Sequence, residues 1–256
     1  SSDVCSSDLL GIVGTGQLIS AGQGTDTLSG VSEVGGSSFA DLLTGSNNAW
    51  ESFRGRGGDD VIDGLGGDDR VDYLLDSVGV TVDLGTDNQT VSVTVIDGSG
   101  STDTLLHIED VLGSRHDDVL TGDVNDNVLI GDDGNDIITG GTENDTINGA
   151  GGDDSLTGGD NDDLINGGLG ADTISGDDGN DRLIGVSNAD ITAAVADLTD
   201  LNTTNADSID GGLGNDTIVG GVGADIVNGG DGQDIIDVAS GGDTSAGEIG
   251  RASCRE

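Results

Sequence analysis

The sequence predicts an all-β solenoid in which a glycine-rich turn and a short strand alternate every nine residues. Twelve nine-residue segments begin with glycine, carry Asp or Asn at the sixth position and carry Ile, Leu or Val at the eighth. Because side chains alternate along a strand, the eighth residue should point inward and the seventh and ninth outward. Glycine makes up 49 of 256 residues, aromatic residues make up 2%, and proline is absent. This composition does not suit an ordinary packed core, whereas a stacked repeat needs only one apolar side chain per turn.

The repeats, which we call nonads, fall into three blocks. Their first glycines are Gly122, Gly131, Gly140, Gly149, Gly158, Gly167 and Gly176 in the main block, Gly211, Gly220 and Gly229 in a second block, and Gly55 and Gly64 in a degenerate block. The sixth positions hold Asp60, Asp69, Asn127, Asp136, Asp145, Asp154, Asp163, Asp172, Asp181, Asp216, Asp225 and Asp234. Asp118 and Asp207 continue this register just before their blocks. These fourteen residues are the candidate metal ligands.

The pattern G-G-x-G-x-D-x-U-x, where U is aliphatic, resembles the calcium-binding repeat of the RTX (repeats-in-toxin) family. The resemblance is strong over residues 122–184 and 207–237. It implies a parallel β-roll with two nonads per turn, and calcium ions held between stacked loops by sixth-position carboxylates and turn carbonyls. One edge would then carry Asn127, Asp145, Asp163 and Asp181, the other Asp136, Asp154 and Asp172, with Asp207 beside Asp225 and Asp216 beside Asp234 in the second block.

The charge balance supports a metal independently of this resemblance. The chain has 50 acidic and seven basic residues, for a formal net charge of -43. Stacked strands lie about 4.8 Å apart, so equivalent carboxylates would repel one another unless cations lay between them. Calcium prefers six to eight oxygen ligands, which aspartates and the carbonyls of a glycine-rich turn can supply. We therefore expect several Ca²⁺ ions as the cofactor, and neither nucleic acid nor an anionic membrane surface as a partner.

Two other interpretations fit the sequence less well. A chain rich in glycine and aspartate can be disordered, and we expect this of the calcium-free state. Disorder does not require an aliphatic residue at every eighth position, so it does not describe the calcium-loaded state. An EF-hand loop starting at Asp123 is excluded because Val128 stands where the sharp-turn glycine is needed.

The chain divides into eight predicted segments. Residues 1–9 and 248–256 resemble translated short-read sequencing adapters and are set aside as artefacts. The other segments are the end of a first spacer module (10–45), a short degenerate repeat block (46–72), a β-rich spacer (73–121), the main β-roll (122–184), an excursion with a short surface helix (185–206) and a second β-roll block (207–247). Residues 24–45 align without gaps to 101–122, which indicates a duplicated module. Asp181 and Asp207 are 26 residues apart, one fewer than the 27 residues of three nonads. Imperfect register between the two blocks is therefore expected.

No catalytic constellation is evident in the sequence. Cys5 and Cys254 lie in the adapter-like ends, which excludes a disulfide framework or a thiolate metal site. His107 and His116 are assigned to the spacer surface, and Trp50 and Phe53 to the cover of the degenerate repeats. No run of 18 apolar residues predicts a membrane span.

We therefore predict a calcium-binding module, without enzymatic activity of its own, from a secreted bacterial protein with a structural or adhesive role. Type I secretion is implied by the resemblance. The alternative is the calcium-binding part of a secreted toxin, protease, lipase or alginate-epimerase-type enzyme whose catalytic domain lies outside this sequence.

Overall fold

The computed structural model describes residues 17–18, 32–47, 50–85, 93–96, 100–186, 206–222, 224–240, 244–246 and 249–254. These residues form strands and turns, and none of them belongs to a helix that could cross a membrane. The strands are β1 Gln17–Leu18, β2 Glu33–Gly35, β3 Leu42–Thr44, β4 Trp50–Arg54, β5 Val61–Asp63, β6 Asp68–Asp72, β7 Thr81–Asp83, β8 Val93–Ile96, β9 Thr102–Leu106, β10 Asp110–Leu112, β11 Val119–Thr121, β12 Val128–Asp133, β13 Ile137–Thr142, β14 Thr146–Gly151, β15 Ser155–Asp160, β16 Leu164–Leu169, β17 Thr173–Asp178, β18 Arg182–Val186, β19 Ser208–Asp210, β20 Thr217–Val222, β21 Ile226–Asn228, β22 Asp234–Ser240, β23 Thr244–Ala246 and β24 Ile249–Cys254.

Successive strands of the repeats alternate between two sheets. The even-numbered strands from β10 to β24 are consecutive neighbours in one sheet, and the odd-numbered strands from β11 to β23 are consecutive neighbours in the other. Neighbouring strands run parallel and pair residues 18 apart, as in Leu129 with Ile147 and Ile147 with Ile165. Two nonads therefore complete one turn of a parallel β-solenoid with about nine turns in all. The predicted fold class is confirmed.

The core is a column of aliphatic side chains, nearly all contributed once per strand. All twelve eighth-position residues of the nonads are at most 1% exposed. The seventh position lies on the outside, where Ile137, Ile226 and Ile235 are more than half exposed. The inward and outward alternation predicted from the sequence is therefore present, and each nonad adds a single layer to the core.

Truncating one layer of this column should destabilise the whole solenoid. Ile165 is fully buried, whereas the adjacent Leu164 is only partly buried. We expect Ile165→Ala to lower the free energy of unfolding in calcium by about 2–5 kcal/mol, because it removes buried apolar area and leaves a cavity. Leu164→Ala, the matched control, should cost less than half as much. Denaturant unfolding monitored by circular dichroism measures both, and equal losses would contradict the inward assignment of the eighth position.

The spacer predicted at 73–121 lies within the solenoid. Strand β8 pairs antiparallel with β7 and β9, and this hairpin-like insert continues the sheet between β11 and β5. Tyr73, Val82 and Leu105 are buried in the same core cluster as the repeats. The spacer therefore extends the stack while interrupting its strictly parallel pairing.

The two roll blocks stack in register. Ile174 pairs with Ile209 across β17 and β19, and Leu183 pairs with Ile218 across β18 and β20. The expected register mismatch is therefore absent. The register is kept because the extra residues are inserted within one nonad. Gly185 is the first residue of that nonad and Asp207 takes its sixth position. The predicted helix of the excursion falls in 187–205, outside the described residues.

The adapter-like C-terminal segment, excluded from the fold by the sequence, contains strand β24, which pairs parallel with β22. A solenoid ends in an open strand edge whose N–H and C=O groups can pair with any extended chain. This pairing therefore requires no particular sequence. The N-terminal adapter-like segment, residues 1–9, lies outside the described residues.

Candidate metal centre

The sixth-position side chains form two continuous ladders, one along each edge of the solenoid. In each ladder, the backbone N–H of one sixth-position residue donates to the Oδ1 of the sixth-position residue one turn further on. One ladder runs through Asn127, Asp145, Asp163, Asp181, Asp216 and Asp234, with N to Oδ1 distances of 2.8–3.1 Å. The other runs through Asp118, Asp136, Asp154, Asp172, Asp207 and Asp225, with distances of 2.8–3.0 Å. The structure thus brings together the pairs expected from the 18-residue spacing and joins the two blocks.

All fourteen candidate ligands are buried, each at most 3% exposed. This burial is unusual, because aspartate is rarely buried without a partner for its charge. Asp60 and Asp69 belong to the degenerate block, where Asp41 N–H donates to Asp60 Oδ1 at 2.8 Å. The ladders therefore reach beyond the well-formed nonads.

Many of these carboxylates have one oxygen without a hydrogen bond. Within the described residues, Oδ2 is buried and has no hydrogen-bond partner in Asp136, Asp145, Asp154, Asp163, Asp172, Asp181, Asp207, Asp216 and Asp234. A buried carboxylate oxygen without a donor or a cation is energetically costly. Its recurrence at the same position of successive repeats makes it a feature of the repeat and not a local distortion.

The first glycine of most nonads lies against this oxygen. A Cβ atom at Gly140 would collide with Asp145 Oδ2 and with the carbonyl oxygen of Gly158, one turn further on. The same two kinds of oxygen surround Gly149, through Asp154 and Gly167. Only glycine fits at the first position, because a carboxylate oxygen and a carbonyl oxygen from the next turn converge there. Such oxygens are the ligand type that calcium prefers.

Burial raises the pKa of these carboxyl groups. Desolvation is the largest cause, and neighbouring carboxylates add to it. The pKa rises to about 7 for Asp136, Asp145, Asp154, Asp181 and Asp207, and to about 6 for Asp163 and Asp172. Desolvation also raises the pKa of Asp69 to about 7. Without a cation, the charged form of each group is therefore disfavoured in the folded state.

The side chains alone do not surround a metal ion. Among the described residues, no three His, Cys, Asp or Glu side chains converge on one point. A calcium ion in these ladders would therefore draw most of its ligands from backbone carbonyls of the turns, with one or two carboxylates supplying charge. Oxygen ligands of this kind fit calcium better than a transition metal.

Asp118 and Asn127 differ from the other candidates because protein groups satisfy their side chains. Ser114 N–H donates to Asp118 Oδ2 at 2.6 Å, and Val80 N–H donates to Oδ1 at 2.7 Å. Asp123 N–H donates to Asn127 Oδ1 at 2.7 Å. The sequence placed these two residues with the other candidates because they share the sixth position.

The ladders also contain acidic residues that the sequence did not predict. Asp41 accepts a hydrogen bond from Ser37 N–H at 2.6 Å, and Glu51 accepts one from Ser46 N–H at 2.6 Å. Glu109 Oε2 accepts the N–H of Asp69 at 2.8 Å, which is the ladder bond of a sixth-position residue. The alignment of 24–45 with 101–122 contained a signal, because it places Asp41 opposite Asp118.

Fifth-position side chains form a further ladder on the exposed surface. Its hydrogen bonds run in the opposite direction to those of the two sixth-position ladders, because each N–H donates to the side chain one turn earlier. Asp162 Oδ1 accepts hydrogen bonds from Asn180 N–H at 2.8 Å and Asn180 Nδ2 at 2.9 Å. Asn144 Oδ1 in turn accepts the N–H of Asp162 at 3.1 Å. The hydrogen bonds from Asn180 lower the pKa of Asp162, and the bond from the backbone N–H has the larger effect. Asp and Asn therefore serve as hydrogen-bond acceptors at the fifth position.

The residues assigned to the spacer surface and the repeat cover make ordinary contacts. His107 Nδ1 lies 2.7 Å from Asp63 Oδ1 at a part-exposed site. Trp50 is 41% exposed, and the Arg70 guanidinium carbon lies 5.2 Å from the centre of the Trp50 ring. Phe53 is fully buried. These groups lie outside the carboxylate ladders.

A comparison with family models gave a match to the RTX calcium-binding nonapeptide repeat, a model of four repeat copies. The matched residues are 46–76, 112–147, 139–174, 157–191 and 203–244. A search of curated proteins gave no match to the chain. The matched segments coincide with the parts of the solenoid that carry the carboxylate ladders.

Proposed function

Since the chain belongs to the family of RTX calcium-binding nonapeptide repeats, we propose that it folds on binding several calcium ions outside the cell, as a module of a secreted bacterial protein. The repeat roll is a structural calcium-binding module and is not catalytic by itself. The family is characteristic of secreted bacterial proteins, which supports the extracellular location. Type I secretion is part of this proposal.

The observation that carries the proposal is the series of buried Oδ2 atoms without a hydrogen bond. In seven of the nine, the Oδ2 atom and a backbone carbonyl of the following turn converge on the same first-position glycine, so a cation between them would meet at least two oxygen ligands. We assign the carboxylates of the ladders as the charged ligands and the turn carbonyls as the neutral ones. A calcium ion would supply the positive charge that lets the carboxylates remain ionised while buried.

A structural or adhesive role is supported by the architecture. The spacer is built into the same two sheets as the repeats, so modules of this kind can be joined end to end without breaking the solenoid. The gapless alignment of residues 24–45 with 101–122 supports the view that the end of such a module occurs twice in the chain. A calcium-stiffened rod made of repeated modules suits a protein that spans distance outside the cell.

Counting bound calcium in two neighbouring variants tests this assignment. Asp163→Ala removes a buried ladder carboxylate, and Asp162→Ala, the matched control, removes the same charge from an exposed position. We expect the first variant to bind one or two fewer ions than the wild type, because Asp163 lies between Asp145 and Asp181 in its ladder. The second should keep the full number although it loses the hydrogen bonds from Asn180.

Isothermal titration calorimetry, with equilibrium dialysis as an independent count, gives the number of ions. Equal losses in the two variants would mean that the carboxylates act only as a diffuse negative charge. A wild-type protein that bound no calcium would overturn the proposed function itself.

A further inference from the structure

The turns that precede the sixth-position residues adopt two conformations. In one, the second residue of the nonad has a positive φ; this holds for Asp132, Gly141, Ala150, Gly159, Gly168, Asp177, Gly212, Gly221 and Gly230. In the other, the second residue does not enter the left-handed region, and its N–H donates to the ladder side chain four or five residues further on; this holds for Ser37, Ser46, Ser114 and Asp123. We call these open and closed turns.

A closed turn saturates the carboxylate that an open turn leaves incomplete. At Asp118, Oδ2 accepts Ser114 N–H at 2.6 Å, while Oδ1 accepts Ser114 Oγ–H at 2.8 Å as well as Val80 N–H. Ser114 Oγ also accepts the N–H of His116 at 3.1 Å, which fixes the turn. Donors from the protein thus occupy the space and lone pairs that a cation would need.

Asn127 shows the same arrangement with a neutral side chain. Its Oδ1 accepts Asp123 N–H, and its Nδ2 donates to the Glu109 carbonyl at 2.8 Å. Asp123 Oδ1 accepts Asn125 N–H at 2.9 Å, in the place of the serine hydroxyl of the other closed turns. This amide carries no charge and both of its ends are already hydrogen-bonded, so it attracts a calcium ion far less than an ionised carboxylate does.

Open turns share a feature that the sequence reveals. Each nonad with an open turn has glycine at its second or fourth position, as in Gly141 of one turn and Gly134 of another. The closed turns of Asp118 and Asn127 have neither, since these positions hold Ser114 and His116, and Asp123 and Asn125. Glycine favours the left-handed backbone, while Ser and Asp favour turns closed by their own side chains. Asp132 and Asp177 fit the rule, because Gly134 and Gly179 follow them.

We propose that the closed turns replace calcium with hydrogen bonds, so that Asp41, Glu51, Asp118 and Asn127 bind no calcium and only the open turns do. This inference rests on the proposed calcium function and divides its sites. The closed turns of Asp118 and Asn127 lie at the start of the main roll, one in each ladder. The first turn of the roll is therefore held by protein donors alone and presents a formed edge on which the calcium-dependent turns stack.

Substitution of one residue of each class tests the division. Asp118→Asn and Asp154→Asn make the same change in the same ladder, two turns apart, and calcium is counted at saturation by calorimetry and equilibrium dialysis. We expect Asp118→Asn to bind the wild-type number of ions and Asp154→Asn to bind one or two fewer. If Asp118→Asn lost as many ions as Asp154→Asn, the inference would be wrong while calcium binding stood.

A gain-of-site variant covers the case in which Asp118→Asn fails to fold. Ser114→Gly combined with His116→Gly gives the turn the glycines of an open turn and removes the serine hydroxyl. We expect this double variant to bind one calcium ion more than the wild type. The Ser114→Ala control should bind the wild-type number of ions. A double variant with the wild-type count would overturn the inference, and a wild-type protein without bound calcium would overturn the proposed function and the inference together.

Discussion

Removal of calcium at pH 7.5 is expected to abolish most of the strand signal in the circular dichroism spectrum, and about 0.1–1 mM calcium, the range of extracellular modules, should restore it. The reason is the number of buried carboxylates: at least nine of the described aspartates have an Oδ2 atom without a hydrogen bond. Burying a carboxylate without a partner costs several kcal/mol even after relaxation. A domain is stable by only about 5–15 kcal/mol, so a few such groups suffice to unfold it.

Calcium reverses this balance by binding the folded state alone. An ion at ten times its dissociation constant adds roughly 1.4 kcal/mol, so six sites would add about 8 kcal/mol. Magnesium is the control, because it keeps its waters and demands a small octahedral site, and it should not restore the spectrum at the same concentration. A strand-rich spectrum in calcium-free buffer at pH 7.5 would contradict the prediction.

The closed turns predict which part of the signal survives. Residues 100–127 carry a buried core that includes Leu105, Ile108 and Val111, and the closed turns at Ser114 and Asp123 need no cation. Hydrogen exchange in calcium-free buffer should therefore protect this segment better than residues 131–184. The contrast follows from where the protein itself supplies donors to the ladder.

The sequence predicted the repeats well because their physical requirements recur at fixed positions. An aliphatic residue at every eighth position and an acidic one at every sixth can be recognised without any knowledge of the turns. The conformation of a turn depends instead on glycine at the second or fourth position. This signal is present in the sequence, but candidate ligands chosen only by their sixth position do not reveal it. Asp118 and Asn127 were grouped with the open sites for this reason.

Two other features could not be predicted from spacing. The acceptor role of Asp162 depends on the direction of the fifth-position ladder, which only the stacked backbone defines. The continuous register of the two blocks depends on where the inserted residues leave the chain, because an insertion within one turn lets the strands on both sides keep their partners. A count of residues between Asp181 and Asp207 does not contain that information.

Acidification is expected to favour folding in calcium-free buffer and to weaken the binding of calcium to the folded state. Burial raises the pKa of Asp145 and Asp154 to about 7 in the folded state, from 3.8 for the ordinary group. Between these values the folded state binds protons that the unfolded state does not. The stability gained from protonation is therefore fully present below about pH 4 and is lost as the pH rises through 6 to 7. In calcium-free buffer, lowering the pH from 7.5 to 5 should restore part of the strand signal.

With calcium present, protons compete with the ion for the same oxygens, so the calcium affinity of the folded state should weaken as the pH falls from 7.5 to 5.5. Calcium is best removed on a chelating resin, because soluble chelators weaken in acid. An aspartate side chain free in water has a pKa near 4 and stays charged at pH 5.5, and 0.5 M NaCl screens surface charges while leaving buried groups largely unaffected. If 0.5 M NaCl alone restored the strand signal at pH 7.5, the effect would come from repulsion between surface charges. If only acidification restores it, the effect comes from the buried ladder carboxyl groups.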